Sequence, residues 1–174
     1  MIRRAHIEGA NRFWLLRDWR LDVRARTLTY VMLNPSTADG TKDDPTIRKC
    51  IGFATKLGYE RMYVVNLFSK RATHPDELRN GVGRWITNLM AVRTRLSASD
   101  TVVFAWGASV MKAEPDPRKR ALRSLAEVTK ELGVEPLCLG TSKDGHPRHP
   151  LMLPYTTRLK RWKGYDVTEW SFLK

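Results

Sequence analysis

The chain has 174 residues, of which 42% are hydrophobic, which suits a folded globule with a core and excludes wholesale disorder. Lysines and arginines outnumber acids by 31 to 18, a formal charge of +13 that favours a polyanionic partner through phosphate contacts and counterion release. The longest apolar runs, such as VVFAW at 102–106, are too short to span a bilayer, MIRRAHIEGANR carries no apolar signal-peptide core, and two cysteines without CxxC spacing argue against a disulfide framework or a zinc site.

In chain order, RFWLLRDW (12–19) and TLTYVMLN (27–34) read as strands, expected to form an N-terminal antiparallel pair across RLDVRAR. A helix follows from about Asp44 to Leu57. Asp44 suits the N-cap, Pro45 the first turn and Gly58 the stop, with Ile47, Ile51 and Ala54 on one face. MYVVNLF (62–68) is the next strand. Trp85, Leu89, Val92 and Leu96 then mark a helix near 83–97. TVVFAW (101–106) is a strand, 116–132 a helix with Leu122, Leu125, Val128 and Leu132 inward and Gly133 as its stop, and EPLCLG (135–140) the last strand. The tail 141–174 is loop-rich and basic. This alternation predicts an α/β fold, a three-layer αβα arrangement around a mostly parallel sheet, in a single domain over 1–174. A reducing cytoplasm is the expected compartment, with Cys50 and Cys138 as small core residues.

In such a sheet, ligands bind beyond the carboxyl ends of the strands. The residues there are Asn34-Pro35-Ser36, Asn66 followed by LFSKRATHP, Trp106-Gly107, and LGTSKDGHPRHP. Asn66 interrupts an apolar run, so its amide either bonds a neighbouring loop or reads a base edge. Period-2 alternation puts Phe68 on the face of Asn66, as a stacking ring or as core. His146 and His149 each precede a proline, which restricts their direction. No third metal ligand accompanies them, and no GxSxG, GxGxxG or P-loop is present.

MLNPSTAD…DDPTIRKCIGFA, VVNLFSKRATHPDEL, FAWGA and LGTSKDGHPRHPLML together resemble the DUF1643 family over roughly 12–154, a resemblance that implies no activity. The same pieces in the same order remotely resemble the uracil-DNA glycosylase superfamily. That likeness sets Asn34 of MLNPS at the asparagine of the GINPG catalytic loop, Asn66 at the asparagine ending the second strand, Trp106-Gly107 at the end of the third, and His149-Pro150 at the HPS motif, with His146-Pro147 as competitor. It implies a DNA glycosylase-like hydrolase with catalytic Asn34 and His149, and with Pro35, Ser36, Asn66, Phe68, Trp106, Gly107 and His146 around the base. The first loop lacks the acid that serves as base in several branches, although Asp39, Asp43 and Asp44 follow it. Leu151 replaces the serine of HPS, and the cysteines of the iron–sulfur branches are absent, so no cofactor is implied. These departures point to a damaged or modified base rather than to uracil.

Lys70, Arg71, Arg148, Arg158, Lys160, Arg161 and Lys163 suit phosphate contacts, and Leu151 suits a wedge in the base stack. The partner expected is DNA, with no membrane. A non-catalytic nucleic-acid-binding module and an enzyme of free nucleotides or nucleosides are the alternatives.

Overall fold

The computed structural model of the chain describes residues 1–72 and 84–165. The 73–83 part of the loop after the expected strand 62–68, with the expected start of the helix near 83, and the tail 166–174 lie outside the described residues.

β1 (Ile2–Glu8) and β2 (Asn11–Asp18) form a hairpin whose turn uses Gly9 at φ 55°. β3 (Thr27–Met32), α1 (Pro45–Lys56), β4 (Arg61–Asn66), α2 (Trp85–Ser97), β5 (Thr101–Phe104), α3 (Pro115–Glu131), β6 (Leu137–Cys138) and β7 (Lys160–Arg161) follow. They make one 7-stranded sheet in the order β1-β2-β4-β3-β5-β6-β7.

The sheet is mixed, which corrects the mostly parallel expectation. β4, β3, β5 and β6 run parallel, whereas the β1–β2, β2–β4 and β6–β7 pairings are antiparallel. The expected pairing of 12–19 with 27–34 does not form. β3 is buried along its whole length, with β4 on one edge and β5 on the other, so it has no edge left for β2. β2 lies instead against β4, where Asp18 accepts from Arg61 Nε at 2.7 Å. The last expected strand shrinks to two residues, and two strands, β1 and β7, appear in stretches not read as strands.

Period-2 alternation sends each central strand to both faces. Leu28, Tyr30, Met32, Met62, Val64 and Val103 pack under α1 through Ile47, Cys50 and Ala54. Val31, Val65, Val102 and Phe104 face α2 and α3 through Val92, Leu96, Leu122, Leu125 and Val128. α1 starts where Asp44 accepts from Ile47 N–H at 2.8 Å and ends at Gly58, whose φ of 80° favours glycine. The parallel strands run second, first, third, fourth in chain order across the sheet. The order therefore reverses between β3 and β5, and a crevice is expected there, beyond the strand ends. Among the described residues no helix is long and apolar enough to cross a membrane.

Candidate functional site

A cavity of roughly 530 Å³ opens at that place, within the range of small-molecule sites. Leu33, Asn34 and Ser36 enter it from the end of β3, Asn66 from β4, Trp106 and Gly107 from beyond β5, and Arg148 and His149 from the segment after β6. Arg12 of β2, Asp44 and Thr46 at the start of α1, Ser109 and Ser142 complete the polar lining.

The loop after β3 is pegged from behind by arginines. Arg12 Nη1 donates to the Ala38 carbonyl at 3.0 Å, and Arg17 Nη2 to those of Asp39 and Lys42 at 2.8 and 3.0 Å. Arg71 reaches Ser36 and Thr37 carbonyls at 3.2 and 3.3 Å. A guanidinium is a donor-only fork, so it suits a turn whose carbonyls have no ladder partner. Arg17, wholly buried, also pairs with Asp43 at 2.6 Å. Part of the chain's basic count is thus internal scaffolding.

The loop acids separate by the same criterion. Asp39 faces solvent and accepts Thr41 and Lys42 N–H groups, which hold its carboxyl down at about 2. Asp43 is taken by Arg17 and Arg3. Asp44 alone of the three lines the cavity, capping α1 with one oxygen while its charge acts on both Arg12 and His149.

The two amides are fixed in opposite senses. Asn34 Nδ2 donates to the Pro35 and Ala72 carbonyls at 3.0 and 2.7 Å, so its Oδ1 is the atom left to offer. Asn66 Oδ1 accepts from Arg12 Nη2 at 3.2 Å, which leaves its Nδ2. His149 Nδ1 accepts from Leu151 N–H at 3.3 Å, so the neutral ring carries its proton on Nε2. Burial lowers the His149 pKa and Asp44 partly restores it, so the ring is a neutral donor at pH 7.

Gly107 brings His149 close. Its φ of 74° and ψ of 171° fall where only glycine is at ease, and an added Cβ would sit 3.1 Å from His149 Cβ. Gly107→Ala is therefore expected to cost about 1–3 kcal/mol of stability in urea unfolding. It should also displace His149, readable as a shifted imidazole resonance in NMR spectra.

Several expected site residues lie elsewhere. Phe68 is buried among Val65, Leu67 and Val92 and does not line the cavity, because the strand ends at Asn66 and alternation no longer governs its direction. Pro35 is buried and contributes a backbone carbonyl. Arg71 spends its guanidinium on the loop. Lys70 makes a bridge with Asn11 through its backbone. His146 is fully buried away from the cavity lining.

Burial lowers the pKa of His146 as it does that of His149. The unfolded chain, with histidines near 6.5, then binds more protons than the fold below that pH. Stability is expected to hold above about pH 7 and to decline as pH falls through about 6.5. Urea unfolding between pH 5 and 8 (about that range) measures it, and His146→Gln should flatten the slope.

Arg148, Lys160, Arg161 and Lys163 surround a second, open groove beside Gly140 and Thr141, and Arg148 belongs to both cavities. Arg158 and Leu151 are exposed. Trp162 turns inward to Phe104 and Trp106, with ring centroids at 5.3 and 5.4 Å, and so anchors this basic segment to the wall of the main cavity.

Sequence reasoning missed Arg12. A charged residue at the start of an apolar strand reads as a solvated end, and no local signal marks it as buried. Asp44 was visible as a cap, but its second, cavity-facing role follows only from the path of the loop.

The family model DUF1643, described as protein of unknown function, matches residues 12–151. No curated protein and no solved structure matches the chain.

Proposed function

The chain belongs to the DUF1643 family, whose description assigns no activity, and we propose from the site itself that it hydrolyses the N-glycosidic bond of a damaged or modified base in DNA. One observation carries this reading: Asn34, Asn66 and His149, from three separated segments, line a single cavity at the carboxyl ends of the parallel strands. The remote sequence resemblance to uracil-DNA glycosylases, which sets these three positions at that superfamily's motifs with the histidine several residues later than usual and Leu151 in place of the serine, is in line with this reading. The +13 charge and the groove of Arg148, Lys160, Arg161 and Lys163 beside the cavity supply phosphate contacts for a strand whose base is extruded into it.

In the reaction the bond from C1′ to the base nitrogen breaks and its electron pair leaves with the base. Asn34 Oδ1 holds the attacking water, whose oxygen bonds to C1′. Asp44, the carboxylate of the cavity, stabilises the sugar cation and takes the proton. His149 Nε2–H donates to an oxygen of the base as negative charge grows there. Exposed Met152, at the cavity margin, and Leu151 are placed to fill the gap left in the stack.

The test is abasic-site formation on duplexes and single strands carrying a panel of bases, with natural modified phage DNA included. Cleavage of at least one base supports the reading. Salt-sensitive DNA binding without cleavage of any base makes the protein a binding module, and cleavage confined to free nucleosides makes it an enzyme of small substrates.

A further inference from the structure

The floor of the cavity is asymmetric in its hydrogen-bonding character. Arg12 is only 2% exposed, lines the cavity and makes no ion pair among the described residues. Its Nε is buried without an acceptor, and burial draws its pKa down to about 10 although Asp44 opposes this. A cation so placed is poorly compensated by the protein alone. Arg12 also orients Asn66. With Oδ1 committed to Nη2 at 3.2 Å, the amide presents its amine to the cavity. Trp106, which also lines the cavity, from beyond β5, has an indole N–H buried without a partner. Around Arg12 and Asn66 the protein therefore offers donors and a positive charge, whereas its acceptors, Asn34 Oδ1 and Asp44, come from the β3 loop and the α1 start.

We propose that this floor selects a base by an acceptor-only edge, neighbouring oxygen or unprotonated nitrogen atoms such as the O6 and N7 of a 6-oxopurine or a carboxylate substituent on a pyrimidine. An edge with an exocyclic amine meets donors with a donor and is rejected. Adenine presents N6–H₂ beside N7 and cytosine N4–H₂, whereas guanine presents O6 and N7. The inference rests on the glycosylase reading for its ligand class, a nucleobase, but its hydrogen-bond argument concerns binding and not cleavage.

Two arms separate the inference from that reading. In the first, dissociation constants are measured for free hypoxanthine against adenine, and for 5-carboxyuracil against cytosine. In the second, duplexes with the same bases are assayed for excision. Each acceptor-edged member is expected to bind, and to be excised, at least about tenfold better than its partner. The purine pair and the pyrimidine pair show which source of the edge is used.

Asn66→Asp replaces the amine by an acceptor of the same shape next to Arg12, so it should fold and shift the preference at least about tenfold toward adenine. Arg12→Lys keeps the charge but loses the fork and should weaken the discrimination without reversing it. Selective binding without excision leaves the inference standing and removes the enzyme. Excision of amine-edged bases as fast as their partners overturns the inference and leaves the enzyme. The absence of both selective binding and excision for all of these bases also overturns the inference.

Discussion

Alanine at Asn34 or at His149 is expected to lower base excision roughly 10²–10³-fold while affinity for DNA stays near that of the unaltered protein. The phosphate contacts lie on other residues, in the groove of Arg148, Lys160, Arg161 and Lys163. Asn34 has both amine hydrogens tied to the Pro35 and Ala72 carbonyls, so Asn34→Asp keeps the shape but loses those bonds, and it should recover only part of the rate. His149→Gln retains a donor but not the Nδ1 contact with Leu151 N–H, and should fall between alanine and histidine. The measurement is single-turnover excision on the best substrate of the panel, with binding followed separately. Unchanged rates in both alanine variants would remove these residues from the chemistry.

Arg17→Met should have the largest effect on the fold, about 3–5 kcal/mol, because it breaks a buried pair and leaves its partner behind. The side chain is fully buried and donates to Asp43 at 2.6 Å and to the Leu16, Asp39 and Lys42 carbonyls at 2.8–3.0 Å. Asp43 would retain only Arg3, at 3.4 Å and half exposed. For a domain of this size the loss corresponds to a fall of roughly 6–20 °C in Tm. Arg24→Met, at an exposed site, is the control, with a change within about 0.5 kcal/mol. A fall no larger for Arg17→Met than for Arg24→Met would show that the loop does not depend on its arginine pegs.

The helices were legible because their signals are local. Asp44-Pro45 starts α1 and Gly58 ends it, and the spacing of Leu122, Leu125 and Val128 gives α3 its inward face. Strand neighbours were not, since pairing is non-local and a hydrophobic run does not name its partner. RFWLL suggested a hairpin with TLTYVM, yet the hairpin partner of β2 is β1, a polar, half-buried edge strand whose IRRAHIE carries little apolar signal. The site was legible where a residue type conflicted with its surroundings. Asn66 stands out as an amide in an apolar strand, whereas the burial of Arg12 beneath it has no counterpart in the local pattern. His146 and His149 share the same His-Pro context and cannot be told apart by it. The glycine at 107 separates them, because the close approach it permits is to His149. Phe68 was misplaced because period-2 reasoning was carried past the end of β4.

The glycine-permitted approach, the opposed amides and the pegged loop all serve one claim, that Asn34, Asn66 and His149 act on a single extruded base. Mass-spectrometric identification of the products from DNA carrying the excised base tests it most directly. The expected result is a free base together with an otherwise intact strand bearing one abasic sugar, both absent with the Asn34→Ala, His149→Ala double variant. Release of nucleosides or nucleotides, or the same free base from the double variant, would contradict it.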